Sequence, residues 1–296
     1  MGVARMPTVA DYWSTAPHMP EHPLVKNSGM TLTRFQQLKR FLHISDPADD
    51  LNESSTWLSK IAPALECVRS SSRRCYSASE TICVDEMMVS FVGRSRHTVV
   101  IKTKPDPRGH LVYAAVDART RFVIDFLVHS NETGVPELPA ETKKKYGSRA
   151  GTFHHLSQAA GHRVRSFADN AFCSIQALSD LRELGIGGAG AARHNCKHLP
   201  DRLRQAKKQG TVAPCAVESA TVMSVNVALW SDAKIASMLS TARSVEGEDA
   251  WEPKMRRKQR SGPSAPLFGE PREMKKMPKL VGDCSKHMGG CALSIK

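Results

Sequence analysis

The chain has 296 residues, 41% of them hydrophobic, enough for one large domain or two ordinary ones and too apolar for wholesale disorder. Its 42 Lys and Arg outweigh 29 Asp and Glu, and the net charge of +13 points to polyanionic partners, nucleic acid foremost. No apolar run is long enough to cross a bilayer, and the start MGVARMPTVADYW has neither the apolar core of a secretory signal nor the Ser or Thr of a myristoylation pattern.

Residues 1–78 read as helical. In TLTRFQQLKRFLHI, residues Leu32, Phe35, Leu38, Phe41 and Leu42 recur at three- and four-residue steps, the pattern of one helix face. Thr31 or Thr33 caps its start, and Ser45-Asp46-Pro47 ends it. A second periodic stretch, TWLSKIAPALECVRS, carries Trp57, Leu58, Ile61, Leu65 and Val68, with Pro63 in its first turn or at a kink. The following SSSRR is expected to loosen the chain.

From Thr81 the period becomes that of strands: TICVDEMMVSF, HTVVIKTK, HLVYAAVD and FVIDFLVHS, the last two joined by ARTR as a hairpin. A loop at 131–150 precedes a short helix in HHLSQAAG, a strand in RVRSFAD and a helix in SIQALSDLRELG. Ile175, Leu178, Leu181 and Leu184 stripe that helix, and Gly185 sits where its C-terminal cap belongs. Beyond it, TVMSVNVALW reads as one strand and IASMLST as a strand or short helix. The charged stretch 246–276 reads as mobile, with SGPSAPLFGEP as a linker.

Basic residues cluster at 102–108, 143–145, 202–208 and 254–260, the last readable as a nuclear import signal, a phosphate-contacting loop or a solvated run. The eight cysteines contain no C-x-x-C pair, which argues against a zinc module and for reduced thiols. His97, His110, His129, His154, His155 and His287 read as structural or solvated.

Asp85 and Glu86 interrupt an otherwise buried strand. Taken alone, the pair reads as a polar strand end more readily than as a metal site. The order of elements changes the weighing. A strand, a hairpin of two more, a helix, a further strand and a helix is the order of an RNase H-like fold, with one acid on the first strand and another at the end of the fourth. Asp85 and Asp169 hold those places. Phosphoryl transfer with two Mg²⁺ ions needs hard carboxylate oxygens on neighbouring strand ends, and a third acid from a helix completes the set. Glu86, by strand alternation, points to the opposite face.

Several collinear motifs then resemble the piggyBac transposase family: DYWS at 11–14, MTLTRFQQLKRFLHISD at 30–46, VDEMMVSFVGR at 84–94 with KTKPDPRGHLVYAAVD at 102–117, FADNAFCSIQALSDLRELGI at 167–186 with GAARHN at 190–195, VALWSDAKIASMLST at 227–241, and MPKLVGDCSKHMGGCALSIK at the end. The resemblance implies an α/β (α+β) chain. A helical dimerisation and DNA-binding-like domain (1–78) would precede the first part of an RNase H-like core (79–195), an inserted subdomain with a basic mobile segment (196–276) and the end of the core (277–296).

The family cuts and joins DNA at TTAA sites through three Mg²⁺-holding aspartates. Asp85 and Asp169 match the first two, while Ala292 stands at the third, Ile295 where a further aspartate often follows, and Cys284 and Ser285 where tyrosine and asparagine are usual. Asp232, expected in the inserted subdomain, and Asp283, on the approach to the last helix, are poor replacements.

The resemblance thus implies a transposase-derived protein, catalytically silenced at Ala292, with impaired Mg²⁺ binding and residual DNA binding. The DNA-binding candidates are Lys102, Lys104, Arg108, Arg193, Arg256, Arg257 and Lys258. A nuclear location, a homodimer, and no membrane or small-molecule partner go with it. The alternatives are an active Mg²⁺-dependent transposase or nuclease acting at TTAA sites, and a non-functional relic. The family's remaining catalytic helix and cysteine-rich module are absent from this sequence, so an exposed apolar sheet face is expected.

Overall fold

The computed structural model describes residues 6–17, 29–46, 48, 56–161, 163–232, 234–258, 260–262 and 264–288. The chain divides into two compact units, Met1–Val68 and Arg69–Lys296.

In the first unit a short 3-10 helix, Ala10–Trp13, precedes helix α1, Leu32–Phe41. Thr31 is the cap: its hydroxyl accepts from the Arg34 N–H at 3.2 Å. The Trp13 indole donates to the Met30 carbonyl at 2.7 Å and lies 5.2 Å from the Phe35 ring. Helix α2, Ala62–Cys75, carries Pro63 in its first turn, where a missing N–H costs nothing. The division between units falls inside α2. SSSRR does not loosen the chain; it is helical, and in the second unit Arg69 Nε and Arg73 Nη1 grip the two oxygens of buried Asp125 at 2.7 and 2.8 Å.

The second unit is built on a nine-stranded mixed sheet. Its strands are β1 (Thr81–Ser90), β2 (Val99–Val100), β3 (Arg108–Asp117), β4 (Val123–Val128), β5 (Arg165–Ala168), β6 (Gly187–Ala191), β7 (Val217–Val222), β8 (Val225–Ser231) and β9 (Ile235–Ser240). The order is β2-β3-β1-β5-β6-β9-β8-β7, with β4 also on β3. β1 runs antiparallel to β3 and parallel to β5, and β5 is parallel to β6. This is the RNase H-like arrangement. Helices α3 (Ala140–Tyr146) and α4 (Ser148–Ala159) follow β4, α5 (Ile175–Glu183) follows β5, and α6 (Asp201–Gln209) follows β6.

Phe153 and Leu156 of α4, Leu178 and Leu181 of α5 and Leu203 of α6 pack with Ile82, Val84, Tyr113 and Leu229 in the main core. On a second face Leu280 and Cys284 of helix α7 (Lys279–His287) pack with Phe167, Ala189 and Met238. The expected bare face is closed at least there.

Several local expectations give way. HTVVIKTK is strand only at Val99–Val100, because Lys104 N–H turns back to the Ile101 carbonyl at 3.1 Å. The 131–150 loop contains α3 and the start of α4. TVMSVNVALW is a hairpin, β7–β8, whose turn residues Met223 and Ser224 have φ of 50° and 64°. The residues from 196 to 276 divide: β7, β8 and β9 extend the main sheet, and β10 (Trp251–Arg257) pairs with β11 (Arg272–Pro278) in a separate two-stranded ribbon. The charged stretch 246–276, expected to be mobile, is thus largely a paired hairpin. β6 is a strand although its sequence, GGAGA, has the composition of a loop. A side chain at Gly190 would run into the Ala168 carbonyl and the Cys173 sulfur, so the close approach to β5 requires glycine.

Candidate active site

In the parallel pairing of β1 with β5, Val84 lies opposite Ala168. The next residues along each chain are Asp85 and Asp169, so the ladder delivers both acids to one end of neighbouring strands. Alternation fixes their direction. Two residues back, Phe167 packs in the cluster of α7, and Cys83 Sγ donates to the Met288 carbonyl at 3.6 Å. Both aspartates therefore share the face on which α7 lies.

Each carboxylate is held by a backbone N–H: Glu86 N–H to Asp85 Oδ1 at 2.7 Å, and Ala171 N–H to Asp169 Oδ1 at 2.7 Å. The Asp169 carbonyl also accepts from Phe172 and Cys173 in the turn leading to α5. Burial raises the Asp85 pKa above the ordinary carboxylate range. The Glu86 N–H and the charge of Lys104 pull it down, while the negative charges of Asp169 and Glu86 push it up. A carboxylate raised in this way by burial and a neighbouring acid gains from a cation at its side.

Glu86 turns the other way, to Arg149 of α4 at 2.6 Å, as alternation requires. Lys104 leans over the site and donates to the Glu86 carbonyl at 2.8 Å. Sequence placed Lys104 only among DNA contacts and did not find Arg149, since nothing local marks either as a neighbour of the acids.

Among the described residues neither Asp85 Oδ2 nor Asp169 Oδ2 has a hydrogen-bond partner, so each carboxylate keeps one hard oxygen uncommitted, the kind of donor a divalent cation takes. No group of three His, Cys, Asp or Glu among the described residues converges as a metal cage. The other acids weighed as replacements are committed elsewhere. Asp232 is gripped by Arg256 and by the Ser264 hydroxyl at 2.7 Å, and Asp283 binds Arg243 Nε at 2.7 Å. Ala292, with Cys291 and Ile295, lies outside the described residues.

Of the basic candidates, Lys102, Arg108, Arg193, Arg257 and Lys258 are exposed and Lys104 is half-buried. Arg256 departs from the rest. It is buried, pairs with Asp232, and lies 5.7 Å from the Trp230 ring centre and 5.8 Å from that of Phe268.

A family model described as Transposase IS4, of the DDE type, matches residues 1–293. The fold is similar to that of a piggyBac transposase solved in a synaptic complex with hairpin DNA, with a TM-score of 0.62 and 16% sequence identity. That likeness covers 90% of this chain and 52% of the other, so the chain spans about half the length of the transposase it resembles. With the motifs, the sheet order and the family match in agreement, the chain belongs to the piggyBac-type branch of the DDE Transposase IS4 family.

Proposed function

We propose that this protein is a transposase-derived DNA-binding protein that has lost strand cutting and joining. The pairing of β1 with β5, which sets Asp85 beside Asp169, carries the reading. The two aspartates would hold one Mg²⁺, and Lys104 would balance the charge of the acid pair. A divalent cation there supplies Lewis-acid activation of a phosphoryl oxygen. A second cation would need the oxygen donor that Ala292 does not provide. The commitments of Asp232 and Asp283 to arginines support the absence of a substitute.

Lys102, Arg108 and Arg193 are the exposed cations through which this reading has the protein hold DNA, in the nucleus and as a homodimer. The test is cleavage of TTAA-flanked duplex DNA in Mg²⁺ or Mn²⁺ by the wild type, Asp85→Ala, Asp169→Ala and Ala292→Asp. The expected result is no cutting above background by the wild type. Cutting by the wild type that both aspartate substitutions abolish would overturn the reading.

A further inference from the structure

The β10–β11 ribbon has one face turned inward and one outward. Inward go Arg256, held by Asp232, and Met277, which is buried. The outward face carries Pro253, Met255 and Arg257 on β10, directly opposite Lys276, Met274 and Arg272 on β11. All six are exposed, with 59% of Met255 and 52% of Met274 open to solvent.

Two features of this face work against the isolated fold. Arg257 sits across from Arg272, and like charges directly opposed on a ladder are destabilising. The methionine pair is apolar surface left more than half open to water. No acid occupies a strand position on this face, although Glu248 lines a hollow with Lys276 at its edge, and among the described residues Arg257, Arg272 and Lys276 make no ion pair. The arrangement suits a polyanion with an apolar centre. Arg272 and Lys276 lie four strand steps apart, about 13 Å at the usual rise per residue. That is close to the roughly 12 Å width of the DNA major groove, which admits a two-stranded ribbon.

We infer that the outward face of the β10–β11 ribbon is a duplex-DNA contact surface. Arg257 and Arg272 at one end and Lys276 at the other meet phosphates on the two sides of a groove. Met255 and Met274 between them meet base edges. The inference rests on the DNA-binding reading above and adds a surface to it. It also divides the basic run at 254–260: Arg257 faces DNA, and Arg256 fixes the ribbon from behind.

The test is fluorescence anisotropy of a labelled duplex of about 20 base pairs, titrated with the full chain at several salt concentrations. Each phosphate contact contributes about 0.9 to the slope of log affinity against log salt. The variant Arg257→Ala/Arg272→Ala/Lys276→Ala should lose about 2.7 from the slope and more than tenfold in affinity. Arg257→Lys/Arg272→Lys, which keeps the charges, should keep the slope and guards against misfolding. Met255→Ser/Met274→Ser should weaken binding with the slope intact.

A wild type that binds, with an unchanged slope in the triple variant and a reduced one in Lys102→Ala/Arg108→Ala/Arg193→Ala, overturns the inference and leaves the DNA-binding reading standing. No binding by the wild type overturns both. Equal wild-type affinity for a poly-glutamate peptide would reassign the face to an acidic protein.

Discussion

Replacing Arg256 with Ala tests whether the ribbon is as firmly anchored as its contacts indicate. Arg256 is 9% exposed, its partner Asp232 is 22% exposed, and the Ser264 hydroxyl on the same carboxylate is fully buried. Removing one member of a buried pair costs about 3–5 kcal/mol, because the remaining charge has no partner. The partial exposure of Asp232 puts the expected loss at the low end. The flanking Trp230 and Phe268 rings lose a cation worth roughly 0.5–1 kcal/mol each. A total of about 4 kcal/mol corresponds to a change of nearly a thousandfold in the opening equilibrium.

Hydrogen exchange read by mass spectrometry over peptides from 246–276, with urea melts of the whole chain, measures both the local and the global effect. The double variant Arg256→Met/Asp232→Leu should recover most of the loss, since an apolar pair of similar volume removes the buried charge. Unchanged exchange in Arg256→Ala, with stability within about 0.5 kcal/mol of wild type, would refute the anchoring argument.

Three further outcomes follow from the core of the second unit. Gly190→Ala should cost about 3 kcal/mol in denaturant melts by forcing β6 off β5, because nothing next to the Ala168 carbonyl can move aside cheaply. Asp125→Ala should destabilise by about 3 kcal/mol, leaving Arg69 and Arg73 without their shared carboxylate, and urea melts would show it. Asp85 holds its proton more tightly folded than unfolded, so its contribution to stability falls as pH rises from the ordinary Asp range through its raised value. Asp85→Asn should therefore melt above wild type at neutral pH and level with it in acid. Added Mg²⁺ or Mn²⁺ should raise the wild-type melting temperature and leave that of the variant unchanged.

The strands and helix that form the acid pair were legible because each has a strong period and clear ends. β1, the β3–β4 hairpin and α5 follow their apolar patterns, and Ser174 caps α5 by accepting from Ala177 N–H at 3.1 Å. The features that were not legible depend on contacts remote in sequence. β6 has the composition of a loop, and only its closeness to β5 and Leu178 makes glycine the fitting residue. The turn at Met223–Ser224 uses positive φ without the Gly or Asn that usually signals it. The charged hairpin has the pattern of a mobile segment because its one inward arginine is held by Asp232, Trp230 and Phe268, none of which its own pattern announces. At the site, alternation correctly sent Glu86 away from Asp85. The approach of Lys104 and Arg149 depended on a turn and a helix packed from elsewhere.

The parallel ladder between β1 and β5 has a consequence for how the chain assembles. Antiparallel neighbours such as β3 and β4 are joined by a nearby turn, whereas the pairing of β1 with β5 closes a loop of about eighty residues, from Val84 to Ala168. The pairing that brings the two carboxylates together is thus one of the long-range contacts whose closure costs most chain entropy. A bound cation would reward only the finished product, acting as a check that the sheet had closed correctly.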